Sequence, residues 1–212
     1  MAILAENELI SILEKSKNVL LLEPPYLRRY PPLGLAKIAS FIKEHGGTRT
    51  YARNKIIASF DLICIASCFT NDAAIVIQAI KSCQKSLFLS KTKIIVGGIF
   101  ASLMPDYIIE KTGADVFVGC SDILDNYLPD YNIDYGIDGF FGQCSILFTT
   151  RGCPNKCAYC MVWKMEKEHK IIPSWKMNIE QSRFENCVVS DNNFLSFPIE
   201  HIQDVIQTLN LH

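Results

Sequence analysis

Apolar residues in the first part of the chain gather into short continuous runs, and between the runs they recur at helical spacing. Val19-Leu20-Leu21-Leu22 has the character of a strand buried on both faces, and Glu23-Pro24-Pro25-Tyr26 ends it with a loop that cannot keep pairing. After Pro31-Pro32, residues Leu33, Ala36, Ile38, Ala39, Phe41 and Ile42 mark a helix until Gly46-Gly47 stops it. Leu62-Ile63-Cys64-Ile65-Ala66 predicts a second buried strand, followed by a helix that Asn71 or Asp72 caps and that carries Ile75, Ile77, Ala79 and Ile80. Lys93-Ile94-Ile95-Val96 runs as a third strand into Gly97-Gly98. Pro105 to Lys111 reads as a helix with Gly113 at its end, and Asp115-Val116-Phe117-Val118-Gly119 as a further strand. Strands alternating with helices imply a Rossmann-like α/β fold with a parallel, doubly wound sheet. Residues 23–28, 67–71 and 97–102 would line its carboxyl rim, where such sheets bind ligands.

Periodicity fades between residues 121 and 142. Asp122, Asp125, Asp130, Asp134 and Asp138 mingle there with Asn, Tyr and Gly, and scattered carboxylates without fixed spacing read as a solvated connecting segment. A strand pattern returns at Cys144 to Thr150 and delivers a cysteine-rich loop at its carboxyl end. Lys164, Lys167, His169 and Lys170 form a polar run, read as a solvated face from which a lysine can meet a carboxylate. Asn186-Cys187-Val188-Val189-Ser190 predicts another strand, closed by Asp191-Asn192-Asn193. Pro198 to Leu209 predicts a helix with Ile199, Ile202, Val205, Ile206 and Leu209 at helical spacing. The expected organisation is a domain over residues 1–120 opening with a short helix in 1–17, a linker over 121–142, and a second β/α region over 143–212.

At 212 residues, 49% hydrophobic and 20% charged, the chain has ordinary globular composition. Lys and Arg number 21 against 22 Asp and Glu, a net charge of −1, and no basic run appears, so nothing favours a nucleic-acid partner. Glu6, Glu8 and Glu14 interrupt the N-terminal apolar positions, which is wrong for a secretory signal, and no apolar run is long enough to cross a bilayer. The cysteines number nine, and Cys64 and Cys68 sit inside apolar runs. Both facts suit reduced thiols in a cytoplasmic protein better than a disulfide framework.

Chemistry concentrates in Arg151-Gly152-Cys153-Pro154-Asn155-Lys156-Cys157-Ala158-Tyr159-Cys160. The CxxxCxxC spacing lets one irregular loop turn three sulfurs toward a point, as a thiolate-ligated iron–sulfur cluster requires. Three thiolates leave one iron of a four-iron cluster open, and open coordination sites are where metal centres do chemistry. A structural zinc site is an alternative, with His169, Cys144 or Cys187 as the fourth ligand, and so is a set of unligated or disulfide-bonded thiols.

This stretch resembles the signature of the radical S-adenosylmethionine enzymes, CxxxCxΦC with an aromatic residue at Φ. The resemblance implies that Cys153, Cys157 and Cys160 ligate a [4Fe-4S] cluster and that Tyr159, at the Φ position, lies near the adenine of S-adenosylmethionine. It implies an electron from the cluster cleaving S-adenosylmethionine to a 5′-deoxyadenosyl radical, a reductant protein such as flavodoxin or ferredoxin, and a small-molecule substrate that the sequence does not identify. It also implies the first β/α units of a TIM-type barrel, in which Asp191, Asn192 and Asn193 would hold the methionyl part of S-adenosylmethionine. The same three residues read equally as a helix cap and turn.

The first part looks like the cobalamin-binding domain that precedes many such barrels. Pro32-Leu33-Gly34-Leu35 matches its helix start, while Ser67-Cys68-Phe69 and Gly97-Gly98 match its Ser-x-Leu and Gly-Gly motifs with Phe69 in the Leu place. The resemblance implies a cobalamin nucleotide tail threaded along Ser67 and over Gly97 and Gly98. No Asp-x-His-x-x-Gly occurs, so no histidine is offered as a lower cobalt ligand. A plain strand-to-helix turn is the other reading of the glycine pair.

From Cys160 to His212 the chain holds enough residues for roughly two β/α units, against eight in a complete barrel. The expectation is therefore either the N-terminal portion of a radical S-adenosylmethionine enzyme or a shortened, non-catalytic module binding a cluster or zinc. A third reading is a methylthiotransferase-like enzyme acting on RNA, with Cys64, Cys68 and Cys83 as further cluster ligands, although these positions suit packing thiols better.

Overall fold

The computed structural model describes residues 2–53, 59–86, 92–166, 168–180 and 186–210; Lys167 of the polar run lies outside them. The chain forms two compact units, Met1–Tyr135 and Gly136–His212.

The first unit is built on β1 (Ile3–Leu4), β2 (Asn18–Glu23), β3 (Thr48–Arg53), β4 (Leu62–Ala66), β5 (Lys93–Gly97) and β6 (Asp115–Phe117). They form one sheet in the order β1-β6-β5-β4-β2-β3, and every neighbouring pair is parallel. The chain steps one way from β2 to β3 and the other way through β4, β5 and β6, so the winding reverses between β2 and β4. This is the doubly wound order with β1 added beyond β6.

The apolar runs explain both layers of the unit. Leu20, Leu22, Ile63, Ile65, Ile94 and Val96 pack on one face with α3 (Ala73–Lys85), α4 (Ile99–Leu103) and α5 (Pro105–Thr112). The alternate residues Val19, Leu21, Leu62, Cys64 and Ile95 pack on the other face with α1 (Glu6–Lys15) and α2 (Leu33–Glu44). A run that is apolar without a break is thus a period-2 strand buried twice, each large side chain contributing roughly 1.5–3 kcal/mol.

Two features depart from the sequence reading. Strand β3, Thr-Arg-Thr-Tyr-Ala-Arg, has no apolar run, because it is an edge strand whose Arg49, Tyr51 and Arg53 meet polar partners. The expected linker is also largely part of the first unit, where α6 (Asp122–Asp125) buries Leu124. Lys37 pairs with Asp125 at 2.6 Å, the Ser40 hydroxyl donates to the Leu128 carbonyl at 2.6 Å, and the Asp130 N–H donates to the Ala36 carbonyl at 2.9 Å. Arg49 reaches the buried Asp130 carboxylate at 2.5 Å. Two of the carboxylates that looked scattered in sequence, Asp125 and Asp130, are paired across the fold, and the boundary falls after Tyr135.

In the second unit β7 (Cys144–Leu147) pairs in parallel with β10 (Asn186–Val189), and α8 (Trp175–Glu180) lies in the connection between them. A short antiparallel pair, β8 (Thr150–Arg151) with β9 (Lys170–Ile171), was not foreseen because two residues carry no periodicity. Helices α7 (Val162–Met165) and α9 (Ile199–Asn210) complete it, around a core of Leu147, Ile172, Trp175 and Val205. Among the described residues this unit holds two two-stranded sheets, and no closed barrel forms. No helix among them is long and apolar enough to cross a membrane.

Asp130→Ala should destabilise the first unit by roughly 2–3 kcal/mol, because it strands the Arg49 guanidinium. Its side chain keeps 24% of its exposure, which holds the cost near the lower end of that for a buried pair. Urea unfolding followed by far-ultraviolet circular dichroism measures this, and the Arg49→Ala/Asp130→Ala double variant should cost less than the two single changes added.

Candidate functional site

The cysteine loop starts where β8 ends. Gly152 has φ +80°, and a Cβ there would lie 2.2 Å from the Glu168 carbonyl oxygen, so a glycine is required by both conformation and space. Between Gly152 and Met161 the backbone has neither helix nor strand, and the Cys160 N–H closes a turn onto the Cys157 carbonyl at 3.1 Å. Cys153, Cys157 and Cys160 are half-buried, while Tyr159 is 91% exposed.

The polar turn after β10 lies against the stem and first cysteine of this loop. Asp191 accepts the Thr149 N–H at 2.8 Å and the Thr150 N–H at 3.1 Å on one oxygen, and the Thr149 hydroxyl at 2.5 Å on the other. Asn192 Nδ2 donates to Glu166 Oε2 at 2.9 Å, and Asn193 Nδ2 approaches Cys153 Sγ at 3.3 Å. Sequence reading placed residues 191–193 and the cysteines near one another only through resemblance; here one contact joins Asn193 to Cys153, and the other bonds of the turn go to Thr149, Thr150 and Glu166.

His201 on α9 stands 3.0 Å from the Thr149 hydroxyl through Nε2. Thr149 has one hydroxyl proton, and with that proton given to Asp191 the imidazole must be the donor to Thr149 Oγ1. Burial holds the His201 pKa below the usual histidine value, against the opposing pull of Asp191 and Asp204. Neither His201 nor Glu166 belongs to a recognisable motif. His201 had one sequence signal, its position one turn before Val205 on the inward face of an amphipathic helix.

Among the described residues no three His, Cys, Asp or Glu side chains stand together as a metal-holding group. His169 turns Nε2 to the Ser196 hydroxyl at 3.0 Å and packs its ring 3.9 Å from that of Phe197, while Cys144 is buried in β7. No disulfide joins any of the nine cysteines. Three thiols on one irregular loop fit a [4Fe-4S] cluster in kind and number, and loading requires the loop to draw the sulfurs together.

The carboxyl rim of the first unit is occupied by its own side chains. Ser67 is buried; its hydroxyl donates to the Gly97 carbonyl at 2.8 Å and accepts the Ala101 N–H at 2.9 Å. Gly98, φ +105°, meets the same residue: a Cβ there would lie 2.5 Å from the Ser67 carbonyl oxygen, whereas one on Gly97 would meet nothing within 4 Å. The structure thus brings Ser67, Gly97 and Gly98 together, in a strand-to-helix turn that starts α4. At the point where the winding reverses, the buried Tyr26 hydroxyl donates to the Ala66 carbonyl at 2.9 Å and accepts the Cys68 N–H at 3.2 Å. The buried Glu23 accepts the Tyr51 hydroxyl and pairs with Arg53 at 3.5 Å. Cys64 lies in one core layer, with Cys83 and the flank of Cys68 in the other. Burial pushes the Cys64 thiol up to about 12 and the Cys83 thiol up to about 11. No family model and no curated protein matches the chain.

Gly98→Ala should cost roughly 2–3 kcal/mol in stability through its positive φ and its contact with Ser67, while Gly97→Ala should change it by under about 1 kcal/mol, both read from denaturant midpoints. His201 predicts a pH dependence. Its folded pKa lies below the unfolded one, so the unfolded chain binds the proton first as pH falls. Stability of the second unit should hold above about pH 7 and drop toward about pH 5, and His201→Phe should flatten that dependence. Trp163 and Trp175, the chain's two tryptophans, both lie in that unit and report its unfolding by fluorescence.

Proposed function

We propose that the second unit binds a [4Fe-4S] cluster through Cys153, Cys157 and Cys160, and S-adenosylmethionine beside it, as a radical S-adenosylmethionine protein. The observation that supports this most is the pairing of the CxxxCxΦC loop with the Asp191–Asn193 turn, joined by the 3.3 Å approach of Asn193 to Cys153. In this reading Asn192 and Asn193 meet the methionyl part of S-adenosylmethionine. Asp191, with both oxygens already engaged, holds the turn in place. Tyr159 stands out from the loop for the adenine. The β7–α8–β10 unit is the start of a TIM-type barrel. When bound, the cluster supplies the electron that cleaves the carbon–sulfur bond of S-adenosylmethionine, delivered to it by a reductant protein such as flavodoxin or ferredoxin. In the first unit a cobalamin nucleotide tail would lie along Ser67, Gly97 and Gly98, where Gly97 has open space in place of a Cβ and the Ser67 hydroxyl is already bonded to the Gly97 carbonyl and the Ala101 N–H.

A second reading is a structural site, in which the cysteine loop binds an iron–sulfur cluster or zinc without S-adenosylmethionine cleavage; it rests on the second unit pairing only β7 with β10 in parallel among the described residues. The methylthiotransferase-like reading is not favoured, since Cys64 and Cys83 lie on opposite faces of the sheet.

Anaerobic reconstitution should give about four irons per chain, and Cys157→Ala should abolish loading. The reduced, loaded chain should then release 5′-deoxyadenosine from S-adenosylmethionine. A loaded chain that forms none leaves the structural site as the reading, and a chain that takes up no iron sinks both cluster readings.

A further inference from the structure

We infer that Glu166 is the positioning residue that latches the cysteine loop to the polar turn after β10. One oxygen, Oε2, accepts both the Gly152 N–H at 2.7 Å and Asn192 Nδ2 at 2.9 Å, and Oε1 stands 3.4 Å from Arg151 Nη1. The first donor is the hinge from which the loop leaves β8. The second belongs to the turn whose next residue, Asn193, touches Cys153. Two segments about 40 residues apart in sequence are therefore held by a single atom. The Glu166 side chain is only 11% exposed, and charge-assisted hydrogen bonds of this kind are stronger and more directional than neutral ones. Gly152 is crowded on one side, where an added Cβ would lie 2.2 Å from the Glu168 carbonyl oxygen. Removing the latch should therefore free the hinge amide and Asn192 together and let Asn193 drift from Cys153.

The inference rests on the cluster reading for its functional meaning, but its geometry is testable without a cluster. In the reduced, unloaded full chain, iodoacetamide labelling followed by peptide mass spectrometry reads each cysteine separately. Glu166→Ala should raise the labelling rate of Cys153 by about tenfold through local opening, with little change at buried Cys64 and Cys83. Glu166→Gln, which keeps one acceptor oxygen, should fall between. After reconstitution, Glu166→Ala should weaken S-adenosylmethionine binding by about tenfold, read as the shift in the cluster's electron paramagnetic resonance signal, while iron content stays near that of the parent chain.

Unchanged Cys153 labelling in Glu166→Ala overturns the inference, and so does an equal rise at Cys64 and Cys83, which marks general loosening. If Glu166→Ala loses cooperative unfolding, Asn192→Ala takes its place, since it removes one arm of the latch at an exposed position, and the same labelling pattern decides. A parent chain that loads no cluster defeats the proposed function and leaves the labelling result standing on its own.

Discussion

Asp191 takes up three donors at the junction of β7 and β8, two of them consecutive backbone N–H groups that no ladder partner satisfies. Thr149 and Thr150 are fully buried, so without this carboxylate each N–H would be left in a water-free environment at a cost of roughly 1–3 kcal/mol. Before this junction β7 pairs with β10 and after it β8 pairs with β9, and the cysteine loop follows β8. His201 braces the same point from α9 by donating to Thr149, which keeps the hydroxyl proton directed at the carboxylate. Local order in the second unit thus begins with a side chain supplied by the end of β10, and the cysteine loop inherits its starting position.

How much of this was legible depended on where apolar side chains go. The central strands of the first unit announced themselves because both faces are buried, as did α2 and α3 through their one-sided stripes. Strand β3 was silent because its inward residues, Arg49, Tyr51 and Arg53, are satisfied by Asp130, Glu23 and the Tyr26 carbonyl, partners that are remote in sequence. The segment from 121 to 135 misled for the same reason. A carboxylate such as Asp130 looks solvated until the guanidinium that faces it is known; burial then works to raise its pKa, and Arg49 with Asn132 outweigh that and hold it below the usual range. Cys153, Cys157 and Cys160 were visible as a motif. The residues that fix their surroundings, Glu166, Thr149 and His201, were not, because each acts through one contact and repeats no spacing.

The two units spend their polar groups differently. At the rim of the first, Ser67, Tyr26 and Glu23 each bond the chain that carries them, and Gly98 lacks a side chain because Ser67 fills the space. Such groups hold the reversal point of the sheet together. In the second, Asn192 and Asn193 carry side-chain amides whose donor and acceptor capacity exceeds the single side-chain contact that each makes among the described residues. That capacity lies beside one thiol, Cys153, which Asn193 approaches at 3.3 Å.

The contact between Asn193 and Cys153 gains meaning with charge. An amide N–H donates weakly to a neutral thiol sulfur, and 3.3 Å is a normal separation for that pair. Metal ligation removes the thiol proton and leaves a thiolate, to which the same N–H donates through a charge-assisted bond. In the proposed cluster-bound state the interaction would therefore be stronger than in the unligated one, a difference that would favour loading. Hydrogen bonds to cluster sulfurs also set how readily a cluster accepts an electron. A turn that holds Asn193 at this distance from Cys153 would thus act on both the affinity of the loop for metal and the potential of what it binds, and its position is fixed by Asp191 on one side and Glu166 on the other.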